Sequence, residues 1–240
     1  MKHILTEEQL FEVELPEATD TYAPVSHHAI VSKITESLLG KDMVIKDKKY
    51  LSNNEGQQLI GTFTIETERP STANSKTAMD MMIAFRNSYD KSMSVGFAAG
   101  TRVWICENGM ISGDIQMVRK HTGNVLGELV EKIDTSIDTL GNTYAKLTSD
   151  AHIMSNIELE PKVSAELLGR LFIDEDIITS TQLNIIKNEL SNSKHFKEDS
   201  MWDLYNHCTE AMKKSHASRY LPGLISLHDF FQDEVSLITS

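Results

Sequence analysis

Cysteine is nearly absent from this chain: Cys106 and Cys208 are the only two among 240 residues. Two thiols cannot build the disulfide framework that small secreted domains use in place of a large core, and they fit a reduced compartment. Long apolar runs are missing as well. No segment approaches the roughly 20 residues that a membrane-spanning helix needs, and Met1-Lys2-His3-Ile4-Leu5 runs straight into Glu7-Glu8 with no apolar signal region. The expected location is the cytoplasm, with no membrane partner. Positive charge is also scarce. Lys and Arg number 23 against 35 Asp and Glu, a net charge of −12, which argues against a generic polyanion binder because such affinity rests on cations displacing counterions from phosphates. No Gly-rich phosphate loop, nucleophile elbow, metal-binding box or internal repeat is present.

What is present is a globular composition. Hydrophobic residues make up 40% and charged residues 24%, and 240 residues can bury a sizeable core as one large domain or two modest ones. The pattern predicts an α+β fold: an antiparallel β-meander sheet packed by helices, followed by a helical C-terminal half. Residues 1–21, with Glu7, Glu8, Glu12, Glu14, Glu17 and Asp20, read as an N-terminal arm able to add an edge strand or stay mobile. Residues 22–124 form a strand-rich core. Residues 125–240 form a helical half packed on or next to it, or continuous with it in a single domain.

Local signals place the elements. Ser26 is a good N-cap for a helix to Leu39, with Ile30, Val31, Ile34 and Leu38 on one stripe and Gly40 as its stop. Met43 to Leu51 and Gln57 to Thr67 flank Asn53-Asn54-Glu55-Gly56 as a hairpin. Met79 to Arg86, Met93 to Ala99, Arg102 to Cys106 and Met110 to Val118 read as four further strands, their connections too short for crossovers. Alternation puts Arg86, Arg102 and Trp104 on a face that could stack bases and hold phosphates, unless Trp104 is core under the following helix. Leu126, Leu129, Val130, Ile133, Ile137, Leu140, Tyr144 and Leu147 predict one long helix over residues 125–149. Helices are also expected from Pro161 to Leu171, from a Ser180 or Thr181 cap to Leu190, from Ser200 to Lys214, and over residues 221–238.

The distribution of charge qualifies the acidic total. Residues 84–124 carry five Lys or Arg against three Asp or Glu, residues 27–50 do the same, and residues 125–185 hold 11 acidic residues against four basic ones. The candidate nucleic-acid or anion site is therefore Arg86, Asn87, Ser88, Lys91, Arg102, Trp104, Arg119, Lys120 and His121. An equally open reading makes Arg86 to Lys91 a turn held by its own hydrogen bonds, with Asp90 pairing Lys91 or Arg102. The nine histidines are scattered without ligand spacing, so no metal or other cofactor is expected. Cys106 as a nucleophile would need contact with a base such as His121, and no catalytic residue is assigned.

Several blocks carry a family resemblance: Pro24-Val25-Ser26-His27, Arg86-Asn87-Ser88, Asp90-Lys91-Ser92, Gly100, Arg102-Val103, Cys106, Asn108, Ser112-Gly113 and Arg119-Lys120-His121-Thr122. A last block holds Trp202, Leu204-Tyr205-Asn206, Thr209-Glu210 and Lys213. In their order and spacing the chain resembles the phage/plasmid-like protein family, domain of unknown function 932, over most of residues 22–230. His207 is a departure, standing where the pattern leads one to expect a small residue such as Ala. The resemblance implies a mobile-element origin, and so a host-cell cytoplasm, but no reaction. Two function classes follow. One is a non-enzymatic factor that binds or anneals single-stranded DNA, a homo-oligomer, since helix, meander and long helix in that order is similar to the core of the single-strand annealing recombinases. The other is an interaction or counter-defence protein binding a host protein or a small phosphorylated ligand. A hydrolase or transferase built around His121, Arg119 and Asp90 is a third class.

Overall fold

The computed structural model describes residues 3–67, 76–103, 108–197 and 199–239, without the side chains of Asn54 and of residues 112–117. The antiparallel sheet expected over residues 43–118 is present and gains one strand from the N-terminal arm, giving six strands in the order β1 to β6, with the neighbouring strands from β1 to β4 antiparallel. These strands are β1 (His3–Leu5), β2 (Ile45–Asn53), β3 (Gln58–Ile65), β4 (Met79–Ser88), β5 (Val95–Val103) and β6 (Gly109–Arg119). The N-terminal arm supplies β1, which pairs with β2 of its own chain. Helix α1 (Glu7–Glu12) follows, started by a capping box in which Thr6 and Gln9 satisfy each other's backbone N–H groups.

The chain divides into two compact units: one of residues 1–67, 80–100 and 114–143, the other of residues 68–79, 101–113 and 144–240. In the first unit, α2 (His27–Leu39) and α3 (Val125–Asp138) pack their apolar stripes on the sheet. Ile30, Ile34 and Leu38 join Leu129, Ile133 and Ile137 around Phe63, Ile83, Phe85 and Phe97. Each such side chain taken from water contributes about 1.5 to 3 kcal/mol. The seam between the helices is edged by polar contacts. Asp134 receives the Ser37 hydroxyl at 2.5 Å and the Lys33 ammonium at 2.8 Å. Gly61 lies opposite Phe85, and a Cβ there would stand 2.1 Å from the ring. Only the missing side chain lets the aromatic ring lie over the neighbouring strand.

The second unit contains most of α4 (Leu140–Ser155), then α5 (Pro161–Gly169) with a π-helical turn at Arg170–Asp174, α6 (Ser180–Asn192), α7 (Met201–Met212) and α8 (Ala217–Thr239). Every residue of α7 except Glu210 is buried. Trp202 stacks on Tyr205 with centroids 5.6 Å apart, and its indole N–H donates to the Lys76 carbonyl. Asn206 ties α7 to the strand connection, because Asn108 Nδ2 donates to both its backbone and side-chain oxygens.

Four expectations are corrected. Arg102 does not begin a new strand: β5 runs unbroken to Val103, because Gly100 stays out of the left-handed region and the chain has no turn there. The helix expected over residues 125–149 ends at Thr139, whose φ and ψ of −101° and 0° separate α3 from α4. Thr135, Thr139 and Thr143 all turn their hydroxyls back on carbonyls one turn earlier, a bond that bends helices. Helix α6 is capped by Thr179 through a capping box with Gln182. Finally, β4 is buried on both faces: Ala84 and Arg86 are hidden as well as Ile83 and Phe85.

Candidate functional site

Three of the blocks that carried the resemblance meet at one end of the first unit's sheet. The entry to α2 brings Tyr22 to His27, the end of β4 and the turn after it bring Asn87 to Met93, and the end of β6 and the segment after it bring Arg119 to His121. His27 is the centre of the group and is fully buried. Its Nε2 lies 2.9 Å from the Gly56 carbonyl, which can only accept, so Nε2 carries the proton. Asn87 spends one N–H on the Val25 carbonyl at 2.7 Å and the other on His27 Nδ1 at 2.9 Å. The ring is thereby held neutral in one tautomer. Burial, opposed by the Gly56 carbonyl and reinforced by nearby His121, lowers its pKa to about 4. Gly56 is required here because its φ of +93° lies in the left-handed region, and a Cβ would meet Val13 at 2.6 Å.

Tyr89 completes the arrangement. Its hydroxyl accepts the His27 backbone N–H at 2.7 Å and its carbonyl accepts the Tyr22 hydroxyl at 3.2 Å. The turn that follows is held from within. Asp90 takes the Ser92 N–H and the Gln58 amide, while the Ser88 hydroxyl bridges the N–H and the carbonyl of Met93. Lys91 sits in the left-handed region at φ +62° and is exposed, with its ammonium 4.5 Å from the centre of the Tyr22 ring. His121 also stands beside Tyr22, with ring centroids 5.6 Å apart. It is 5% exposed and neither ring nitrogen has a well-formed hydrogen bond, although the Met93 and Ala23 carbonyls favour its protonated form. Burial outweighs them and lowers its pKa.

The nine candidate residues are thus placed differently. Asn87 and Ser88 are buried without exposed surface and hold the turn. Arg86 is 8% exposed, and burial lowers its guanidinium pKa. Lys91, Arg119 and Lys120 are exposed at the same end, Arg119 with its Nε on Glu128 at 2.8 Å. His121 is buried. Arg102 belongs to the second unit, where its charge acts on Tyr220. Trp104 and Cys106 lie outside the described residues. Basic residues 27–50 meet carboxylates: Lys33 on Asp134, Lys41 on Asp138, Lys46 on Asp80 and Lys48 on Glu7.

The sequence did not single out Tyr22, Tyr89 or the buried role of His27. The only local hint was their presence beside the Ser26 cap and the polar turn. Among the described residues, no group of three His, Cys, Asp or Glu could hold a metal ion, and no helix is long and apolar enough to cross a membrane.

No curated protein and no solved structure gives a significant match. A protein-family model described as Domain of unknown function (DUF932) matches residues 15–222, a span that includes the His27 cluster and all nine candidate residues. The chain belongs to the DUF932 family.

Proposed function

We propose that this protein is a non-enzymatic nucleic-acid-associated factor of a phage or plasmid, binding single-stranded DNA at the sheet end that carries Lys91, Arg119 and Lys120. The observation behind this reading is the exposure of those three cations beside a buried, hydrogen-bonded support of His27, Asn87, Ser88 and Tyr89, with buried His121 next to it. Such a support keeps phosphate-binding side chains on a rigid platform. Both nitrogens of His27 are used within the fold, so it serves as a positioning group and not as a proton carrier. Arg86 would act from below, and Arg102 and Trp104 are further contacts to be tested by their own substitutions. The order of helix, antiparallel meander and helix adds fold-level analogy to annealing recombinases, which is weaker support. The outer strands β1 and β6 leave backbone edges through which copies could associate as a homo-oligomer.

The second reading, an interaction or counter-defence protein for a host protein or small phosphorylated ligand, is favoured by one observation. Lys33, Lys41, Lys46 and Lys48 each sit on a carboxylate, which leaves the residue 27–50 region near neutral. Fluorescence anisotropy with a labelled single-stranded oligonucleotide in low salt separates the two. Saturable binding weakened by Lys91→Ala with Lys120→Ala supports the first; no binding at tens of micromolar protein (roughly the weak end of non-specific affinity) supports the second.

A further inference from the structure

His121 has a proton-binding capacity that the fold leaves unused. It is 5% exposed, and neither ring nitrogen has a well-formed hydrogen bond. Buried polar atoms in that state are costly unless a partner meets them. Two acceptors are at hand, the Met93 and Ala23 carbonyls, which favour the charged form of the ring. A neutral imidazole has one N–H to offer them, whereas an imidazolium has two. The residue is anchored independently of its side chain, because its backbone carbonyl accepts the Ala23 N–H at 2.7 Å.

The charges around the ring decide when a second proton is taken up. Lys91, on the turn after β4, holds its ammonium 4.5 Å from the centre of the Tyr22 ring, and His121 stands beside the same ring. Arg119 and Lys120 immediately precede His121 and are exposed, Arg119 paired with Glu128 of α3. Asp90, the carboxylate of that turn, takes the Ser92 N–H and the Gln58 amide. On α2, His27 has both nitrogens engaged and stays neutral down to about pH 4. Burial raises the pKa of the Tyr22 and Tyr89 phenols, so both remain neutral as well. A further cation beside Lys91 and Lys120 is unfavourable in the free protein, and burial lowers the His121 pKa. A phosphate backbone lying on those lysines reverses this balance, since negative charge nearby favours the imidazolium.

We propose that this site takes up a phosphate backbone together with a proton from solvent on His121, so that binding of single-stranded DNA and protonation of the buried imidazole reinforce each other. The inference rests on the single-stranded DNA reading given above and adds its regulation by pH. Linkage makes the effect reciprocal: the proton strengthens DNA binding by the factor by which DNA strengthens proton binding. His121 is a positioning residue in this scheme, acting through the lysines without touching the strand.

Anisotropy titrations with a labelled oligothymidylate, whose bases do not titrate in this range, test the proposal on the full chain between about pH 7.5 and 5.5. Acid also weakens repulsion by the acidic body, a contribution common to wild type and His121→Gln. Beyond that shared gain, wild-type affinity is expected to rise at least about fivefold more than that of His121→Gln as pH falls. His152→Gln, at an exposed position of α4, follows wild type. In NMR spectra of the unmodified protein the His121 titration midpoint moves to higher pH when oligothymidylate is added, a readout that stands even if His121→Gln does not fold. Binding with parallel pH curves for wild type and His121→Gln, or with an unmoved His121 midpoint, would overturn the linkage and leave the DNA site standing. No binding anywhere in the pH range overturns both.

Discussion

The imidazole of His27 lies flat on the ring of Tyr89, with centroids 3.9 Å apart and planes 10° from parallel, and the hydroxyl of the same tyrosine accepts the His27 backbone N–H. One residue pair thereby joins the start of α2 to the β4–β5 turn. Gly56 and Asn87, bonded to the two ring nitrogens, add the β2–β3 turn and the end of β4.

Removing this keystone should be costly. His27→Ala leaves a cavity and strands the Gly56 carbonyl and one Asn87 N–H, so a loss of about 2 to 4 kcal/mol is expected. Urea unfolding followed by circular dichroism measures it. A loss below about 1 kcal/mol, the range of an ordinary surface change, would show that the stack and its two bonds contribute little.

Acid should weaken the fold through the same residue. The folded pKa of about 4 lies below the ordinary value of 6.5, so between these values the unfolded chain binds more protons than the folded one. His27's contribution is complete above pH 6.5, declines as pH falls towards 4, and amounts to about 3 kcal/mol in total. Urea midpoints of wild type and His27→Gln from pH 7.5 to 4 isolate this term from the carboxylates. Parallel curves for the two proteins would refute it.

Gly61→Ala should strain the sheet, since its methyl would meet Phe85 Cε1 at 2.1 Å. A cost of about 1 to 3 kcal/mol follows from overpacking. Phe85→Leu, itself destabilising, should reduce the additional cost of Gly61→Ala; additive costs would place the strain elsewhere.

Cys208 should be chemically inert, because complete burial drives its thiol pKa far upward. In a Cys106→Ser background, iodoacetamide is expected to label it only as fast as the protein unfolds. Rapid labelling of the native protein would mean that α7 opens locally.

If Lys91, Arg119 and Lys120 contact phosphates, single alanine substitutions should weaken binding alike for all oligonucleotide sequences. Each should also lower the salt slope by about 1. Trp104→Ala separates two roles by its readouts: loss of affinity at unchanged melting temperature means base stacking, and a lowered melting temperature with proportionate binding means core.

Much of the fold was legible because it depends on local rules. Ser26 caps α2 as its hydroxyl and position require, and Ser200 does the same for α7. Two-residue alternation marked β3 and β4, and the spacing of Leu129, Ile133 and Ile137 marked α3. The break at Thr139 was less visible, since a run of apolar residues at helical spacing continues across it. Hydroxyls bonding back along the helix are geometric events that periodicity does not register.

The chain's own order of residues determined the polar turn that follows Ser88, its acidic balance and the caps at Ser26 and Ser200, since these follow from backbone preference and charge within a few residues. Tertiary structure decided which of those polar residues face water. Asn87 is drawn inward by partners 60 and 62 positions away in sequence, and His27 is fixed in one tautomer by a carbonyl 29 positions away. Hydrogen bonds over such separations depend on how the meander returns its turns to one end of the sheet. Lys91 and Lys120 remain exposed because His27, Asn87 and Tyr89 bond within the fold, and water solvates the charges that are left outside.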